Sequence, residues 1–310
     1  MIKRKIALLV MSFGSPTNIE DIEAYYTHIR NGRKPTDELL AELKGRFELI
    51  GGTSPLVKIT EEQGKAIEEV LNDKQDEIEY KLYIGYLHVA PFIKDAVQQI
   101  YKDGLTEAVS IVLAPQFSGV SLKLYNDEAQ KVATELGIQM KSIESWYQAP
   151  KFIEAWADNL KTTLAEIPVE EQNKAVVVFT AHSIPLKSAQ SGDLYVPQVK
   201  ETAKLIAEKA KLTHYEEAWQ SAGRTPFPWV GPDVLEFTKK LHYEKGYIHY
   251  IYCPVSFVAD HLEVLFDNDY ECKKLTDKLG VHYHRPEMPN VNPKFIEALA
   301  GVVVAKVAEN

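Results

Sequence analysis

Apolar residues cluster in short runs at 6–13, 80–87, 108–117, 142–146, 175–180, 216–220, 247–254 and 281–284. Between these runs the apolar positions recur every three or four residues, as in 60–71, 91–101 and 199–209. The first pattern is that of strands and the second that of amphipathic helices. Strands that alternate with helices predict parallel sheets joined by crossover helices, and therefore doubly wound α/β layers.

The pattern also repeats. The string Pro-Lys-Phe-Ile-Glu-Ala stands at 150–155 and again at 293–298, each time shortly after a strand-like run and with proline near the first turn of a helix. Segments 10–15 and 178–183 match in the same order, as do 114–118 and 253–257. Duplication predicts two similar four-stranded units with a boundary near 166–174, an N-terminal domain over 1–170 and a C-terminal domain over 171–310. The first unit carries extra material at 16–54, rich in Tyr25, Tyr26, His28, Arg30, Arg33, Lys34 and Arg46. An insertion after the first strand lies at the carboxyl end of a parallel sheet, where open α/β folds bind ligands. Its basic and aromatic content suits a flat anionic ligand, and the alternative is a solvated helix with scattered cations.

Charge and cysteine content narrow the function classes. The 310 residues carry a formal net charge of −9, which argues against nucleic acid or an anionic membrane surface as partner. Cys253 and Cys272 are the only cysteines, too few for an all-thiolate zinc or iron-sulfur site or for a secreted disulfide framework, so a cytoplasmic location is expected. The N-terminal apolar stretch runs into Gly14-Ser15-Pro16 without a small-residue cleavage site and reads as a first strand rather than a signal peptide. No apolar run approaches the ~20 residues that span a bilayer, so no integral membrane segment is expected.

Three carboxylates, Glu263, Asp267 and Glu271, recur at four-residue spacing and form one acidic stripe on a helix. Like charges at this spacing destabilise a helix by a few tenths of a kcal/mol per pair. The stripe therefore suggests a ladder for a divalent cation, with a solvated acidic face as the alternative. His182 ends an apolar run and precedes Ser183-Ile184-Pro185, so its imidazole projects from a strand end toward the crevice that Glu263 also faces. A structural histidine is the plainer possibility at that position. An imidazole and a carboxylate together suit a borderline divalent ion such as ferrous iron, zinc or cobalt. Neither Gly14-Ser15-Pro16 nor Gly51-Gly52-Thr53-Ser54 forms a dinucleotide-binding fingerprint, which argues against a dehydrogenase. Thr180-Ala181-His182-Ser183 lacks the glycines of a nucleophile elbow, which leaves Ser183 as a backbone cap.

Three segments carry a specific resemblance. Ala181-His182-Ser183-Ile184-Pro185, the run from Trp219-Gln220-Ser221 through Pro228-Trp229-Val230-Gly231-Pro232, and Pro254-Val255-Ser256-Phe257-Val258-Ala259-Asp260-His261-Leu262-Glu263 together resemble the ferrochelatases. The similarity extends over 8–300 and is greatest to the short, soluble bacterial forms. The resemblance implies two Rossmann-like domains with a porphyrin cleft between them. It implies a metal-chelatase lyase of haem and porphyrin biosynthesis that inserts Fe2+, with coproporphyrin III as substrate and coprohaem as product in the Gram-positive short forms. By the same resemblance His182 and Glu263 are the catalytic, metal-handling pair, and Asp267 with Glu271 is an outer metal site for a hydrated cation such as Mg2+. Phe13, Arg30, Arg46, Phe47, Ser54, His88 and Tyr125 fall to the porphyrin. No permanently bound cofactor and no iron-sulfur cluster are implied, with iron entering as substrate. A monomer in transient contact with neighbouring haem-pathway enzymes completes the expectation.

The chemistry of the residues agrees with that assignment. Metallation removes two pyrrole protons and needs a partly dehydrated ion, and imidazole, with an ordinary pKa of ~6.5, is well placed as the base. Arginine holds propionates through charge-assisted bonds. Two positions depart from the family pattern: Phe13 stands where close relatives have a tyrosine able to ligate product iron, and Leu87 where a lysine occurs. Phe13 has no oxygen to offer a metal. Protoporphyrin IX is the alternative substrate, and a non-catalytic haem- or metal-binding carrier is the alternative from a different class. An insertase needs a proton acceptor and a cation path, whereas a carrier needs only an axial ligand.

Overall fold

The structure is a computed structural model that describes residues 3–73 and 77–309. Strands β1 (Arg4–Ser12), β2 (Ile78–Tyr86), β3 (Glu107–Val112) and β4 (Gln139–Ser142) form one sheet in the order β2-β1-β3-β4. Strands β5 (Ala175–His182), β6 (Glu216–Gln220), β7 (His249–Pro254) and β8 (His282–His284) form a second in the order β6-β5-β7-β8. Every pairing is parallel, and the second order is the first shifted by four strands. Helices cover both faces of such sheets, which is why the central strands read as unbroken apolar runs rather than as alternations. Ile6 to Met11 of β1 and Val176 to Ala181 of β5 are buried throughout.

Two strands end earlier than their apolar runs. The run at 108–117 leaves the sheet after Val112, where Pro115 has no N–H to give to a ladder. The strand expected at 142–146 lies instead at Gln139–Ser142, in register with Glu107 to Ser110 of β3. Beyond it, Trp146 turns its indole N–H to the Val112 carbonyl at 2.9 Å, so that ring belongs to the core and not to a strand.

The repeated hexapeptide opens the two helices that join the halves. Helix Pro293–Ala308, last in the chain, packs against Leu56–Asp73 and Pro150–Ala165 and touches β3 and β4, so it covers the first sheet. Helix Pro150–Ala165, last in the first half, lies against Tyr195–Ala210 of the second. The equivalent phenylalanines of the repeat, Phe152 and Phe295, are both fully buried with ring centroids 6.1 Å apart. One apolar core therefore continues from β1 and β3 through these helices into β5 and β7. Removing a ring of this size from a closed core costs about 3–5 kcal/mol, so the exchanged helices are a main source of cohesion between the sheets.

Polar contacts bring the carboxyl ends of the sheets together. Gln116, beyond β3, donates to the Val255 carbonyl beyond β7 at 3.2 Å and to the Thr202 hydroxyl at 3.1 Å. Gln63 of helix Leu56–Asp73 donates to the carbonyls of Val258 and Asn290 at 3.1 and 2.8 Å. The loops at these strand ends face one another, the position at which open α/β sheets place ligands.

Candidate active site at the facing strand ends

His182 is the last residue of β5, paired with Gln220 of β6. Its backbone N–H donates to the Ser256 hydroxyl at 3.2 Å, which fixes the strand tip to the loop after β7. The ring Nδ1 contacts the Ser183 carbonyl, and because a carbonyl only accepts, Nδ1 must carry the proton. Nε2, the nitrogen that is unprotonated when the ring is neutral, points at Glu263 Oε1 at 3.5 Å. Both side chains are about one third exposed, at 35% and 37%, so a ligand in the crevice reaches them. Ser183 caps a backbone group, as expected: its hydroxyl donates to the Val230 carbonyl at 2.6 Å, in the loop after β6.

Glu263 and the acidic residues after it lie on an unusual helix. Over Val264–Cys272 the backbone winds as a π-helix, and at its end the Lys273 N–H reaches back five residues to the Asn268 carbonyl. Such winding is rare and recurs at functional sites. It leaves the three carboxylates in unequal surroundings. Asp267 is 6% exposed and receives the Ser221 hydroxyl and, at 3.4 Å, the Gln220 side-chain amide. Ser221 holds a left-handed backbone with φ 58°, a strain that a non-glycine residue adopts only when its surroundings impose it. Burial raises the Asp267 carboxyl to about 7, and the charges of Glu263 and Glu271 push the same way. Glu271 is half-buried and also raised by burial, with Arg46 opposing the rise. The expected outer pair is thus one buried carboxyl and one that reaches the surface. Among the described residues no three His, Cys, Asp or Glu side chains converge as a metal cluster.

The insertion at 16–54 supplies much of the opposite wall. Phe13 follows β1, is 38% exposed, and meets His88 edge-on at 4.4 Å between centroids and Tyr25 at 6.4 Å. His88 faces His28 with Nδ1 atoms 2.9 Å apart, and burial together with His28 lowers it to about 4, so it is neutral at physiological pH. Tyr125, on helix Leu122–Leu136, is buried, and burial with the Glu263 charge keeps its phenol protonated. Ser54 is buried and accepts from the Leu56 N–H at 3.3 Å, which caps helix Leu56–Asp73. Phe47 is 1% exposed in a cluster with Ile22, Tyr25 and Leu262, so it supports the wall from behind.

The two arginines differ in setting. Arg30 lies over the Tyr26 ring at 5.6 Å and donates to the Arg33 carbonyl at 3.3 Å, with no carboxylate partner among the described residues. Arg46 donates to Glu42 at 2.9 Å, lies over the Phe266 ring at 5.0 Å and acts on Asp267 and Glu271. Its charge belongs to the acidic helix as much as to the basic insertion.

Several residues of the site escape sequence reasoning. His261 accepts the Glu263 N–H on its Nδ1 at 3.0 Å and is lowered by burial, against the pull of Glu263 and Asp260. Tyr25 and Tyr195 are buried phenols raised by burial and also by Glu263, so the Glu263 charge is felt from both halves. Nothing in its spacing marks Tyr195, whereas Tyr25 belongs to the aromatic insertion and His261 and Ser221 stand inside segments the resemblance already singles out.

An imidazole with a carboxylate 3.5 Å away, faced by a wall of rings, can take up a cation and protons beside a flat ligand. The ferrochelatase family model matches residues 5–307. The coproporphyrin III ferrochelatase of Geobacillus sp. (strain WCH70) is 56% identical over 308 residues, 99% of each chain. That of Bacillus subtilis (strain 168) is 54% identical over 308 residues, again 99% of each. Among solved structures, SirB from Bacillus subtilis with Fe3+ matches with a TM-score of 0.58 at 14% identity, over 98% of this chain and 96% of that one, which speaks for the fold alone. Matched from end to end at more than half identity, with His182 and Glu263 facing one another at the strand ends, the chain belongs to the ferrochelatase family.

Proposed function

We propose that the protein inserts Fe2+ into coproporphyrin III to give coprohaem. The observation that carries this reading is the placing of the His182 ring, with Nδ1 on the Ser183 carbonyl and Nε2 toward Glu263. An axial ligand needs no carboxylate beside it, whereas an insertase needs a proton acceptor and a cation site together. In the proposed reaction Nε2 takes the two pyrrole protons in turn, passing each to solvent, while Glu263 receives the ion. Glu271, half-buried, is the outer end of the path and would hold a hydrated cation such as Mg2+ beside Arg46. The protein would act in the cytoplasm as a monomer with no permanent cofactor, passing product to a neighbouring haem-pathway enzyme; no helix among the described residues is long and apolar enough to cross a membrane.

Anaerobic mixing of the protein with Fe2+ and either coproporphyrin III or protoporphyrin IX, followed by absorbance, tests the reading. Turnover is expected with both and faster at low concentration with coproporphyrin. No turnover with either would favour the carrier. Arg30, free of a carboxylate, is the better placed arginine for a propionate. Arg30→Ala is expected to weaken coproporphyrin binding by roughly tenfold, the loss of one charge-assisted contact of about 1.5 kcal/mol at a partly exposed site. Protoporphyrin, with two propionates instead of four, should lose less in the same titration. Equal losses would favour protoporphyrin as the substrate.

Phe13 packs edge-on to His88 and offers no ligand atom. Phe13→Tyr is expected to add a phenolate bond to product iron, seen as a shifted product spectrum and slower release, with insertion little changed. An unaltered spectrum and release rate would place residue 13 away from the iron.

A further inference from the structure

Arg285 stands just beyond β8. Its side chain is 14% exposed. Nε donates to Asp269 Oδ1 at 2.6 Å, and Nη2 donates both to Asp269 Oδ2 at 2.9 Å and to Asp260 Oδ1 at 3.0 Å. Asp260 precedes Glu263 by three positions and Asp269 follows it by six. One guanidinium therefore grips the segment carrying Glu263 and Asp267 at both ends. We infer that Arg285 is a positioning residue for iron insertion, fixing the Glu263 carboxylate opposite His182 by holding Asp260 and Asp269 together.

Three further observations support the inference, which rests on the function proposed above. First, Asp269 lies within the π-wound stretch and also receives the Tyr283 hydroxyl at 2.6 Å. A nine-residue π segment is long for a winding that mostly occurs as single turns, and it persists only where side chains hold it. Relaxation to ordinary α winding would rotate Glu263 and Asp267 relative to His182 and Ser221. Second, the far side of Asp260 is also tied: Asn290 donates to its carboxylate at 2.7 Å and accepts its N–H at 2.9 Å. The Asn290 carbonyl in turn accepts from Gln63 of the first domain, so the clamp is referenced to the opposite wall of the cleft. Third, buried ion pairs of this kind contribute little net stability over apolar residues of the same shape. Folding alone gives little reason for an arginine here. A planar fork that bridges two carboxylates is what lysine cannot reproduce.

The test is Arg285→Lys, which keeps the charge and loses the fork, with Asp269→Asn as a second variant that retains an acceptor for Tyr283. Porphyrin affinity is read by fluorescence titration, and initial metallation rates are read against Fe2+ concentration. Each variant is expected to bind porphyrin as the parent does, while the limiting rate falls about 10- to 100-fold and half-saturating iron rises, the usual cost of losing a group that orients a metal ligand. Parental limiting rate and half-saturating iron in both variants would overturn the inference. So would loss of porphyrin binding in step with activity, since that assigns Arg285 to folding alone. Failure of the parent protein to metallate either porphyrin would instead remove the proposed function and is seen in the same assay.

Discussion

His182→Ala is expected to lower iron insertion by about 10²- to 10⁴-fold while porphyrin still binds. The size follows from what the ring does. Its Nδ1 proton is committed to the Ser183 carbonyl, so Nε2 is left as a base directed into the crevice. Glu263, 3.5 Å away, has no other side-chain cation near enough to form an ion pair among the described residues. Removing the ring takes away the proton acceptor and leaves a carboxylate that still attracts a cation. Metal should therefore bind in the variant and stall. In the proposed function porphyrin is held by the ring wall and by arginines from the other domain, none of which contacts His182, so binding is expected to survive. Stopped-flow absorbance with Fe2+ gives the insertion rate, and fluorescence titration gives porphyrin affinity. Insertion within a few fold of the parent would make His182 a structural residue of the strand tip, whereas joint loss of insertion and binding would place it among the porphyrin anchors.

The sheets and the His182–Glu263 pair were legible because both depend on local pattern. Apolar runs set the strands, and each half reuses one strand order, so a histidine and a carboxylate after neighbouring parallel strands had to meet at the carboxyl edge. The exchange of last helices was not legible: Phe152 and Phe295 revealed the repeat, but their mutual packing depends on surfaces contributed by both halves. The winding of the acidic helix was hidden for the same reason. Four-residue spacing reads as an α-helical stripe, and what holds the segment otherwise is Arg285 and Tyr283, distant in sequence from Asp269 by 16 and 14 positions. Arg46 shows a further limit. Its neighbours in sequence are basic and aromatic, so it counts toward an anion site, yet the fold carries it onto Phe266 beside Glu271.

The buried Asp267 gives the largest expected effect on stability. Its carboxyl has an ordinary value of 3.8 and is raised to about 7 in the folded protein, by burial first and by Glu263 second. Between those two values the folded state keeps a proton that the unfolded chain releases, so unfolding is increasingly favoured as pH rises. The penalty begins near pH 4, grows to about pH 7 and is constant above, reaching on the order of 4 kcal/mol. Asp267→Asn removes the titration while keeping an oxygen to accept the Ser221 hydroxyl. Its new amide protons add a cost, but one that does not vary with pH. Without divalent cation, the stability of the variant relative to the parent should therefore rise by a few kcal/mol between about pH 4 and about pH 7 and level off beyond it. Urea unfolding of both proteins across that range measures the difference directly. A difference that stays flat with pH would mean that water or a neighbouring group already solvates the Asp267 charge. Added divalent cation gives the complementary result. A cation beside Asp267 offsets the burial of its charge, so metal should narrow the gap between parent and variant at high pH. The same burial that weakens the fold near neutrality keeps a removable proton on this carboxyl, one that an iron ion passing toward Glu263 would displace.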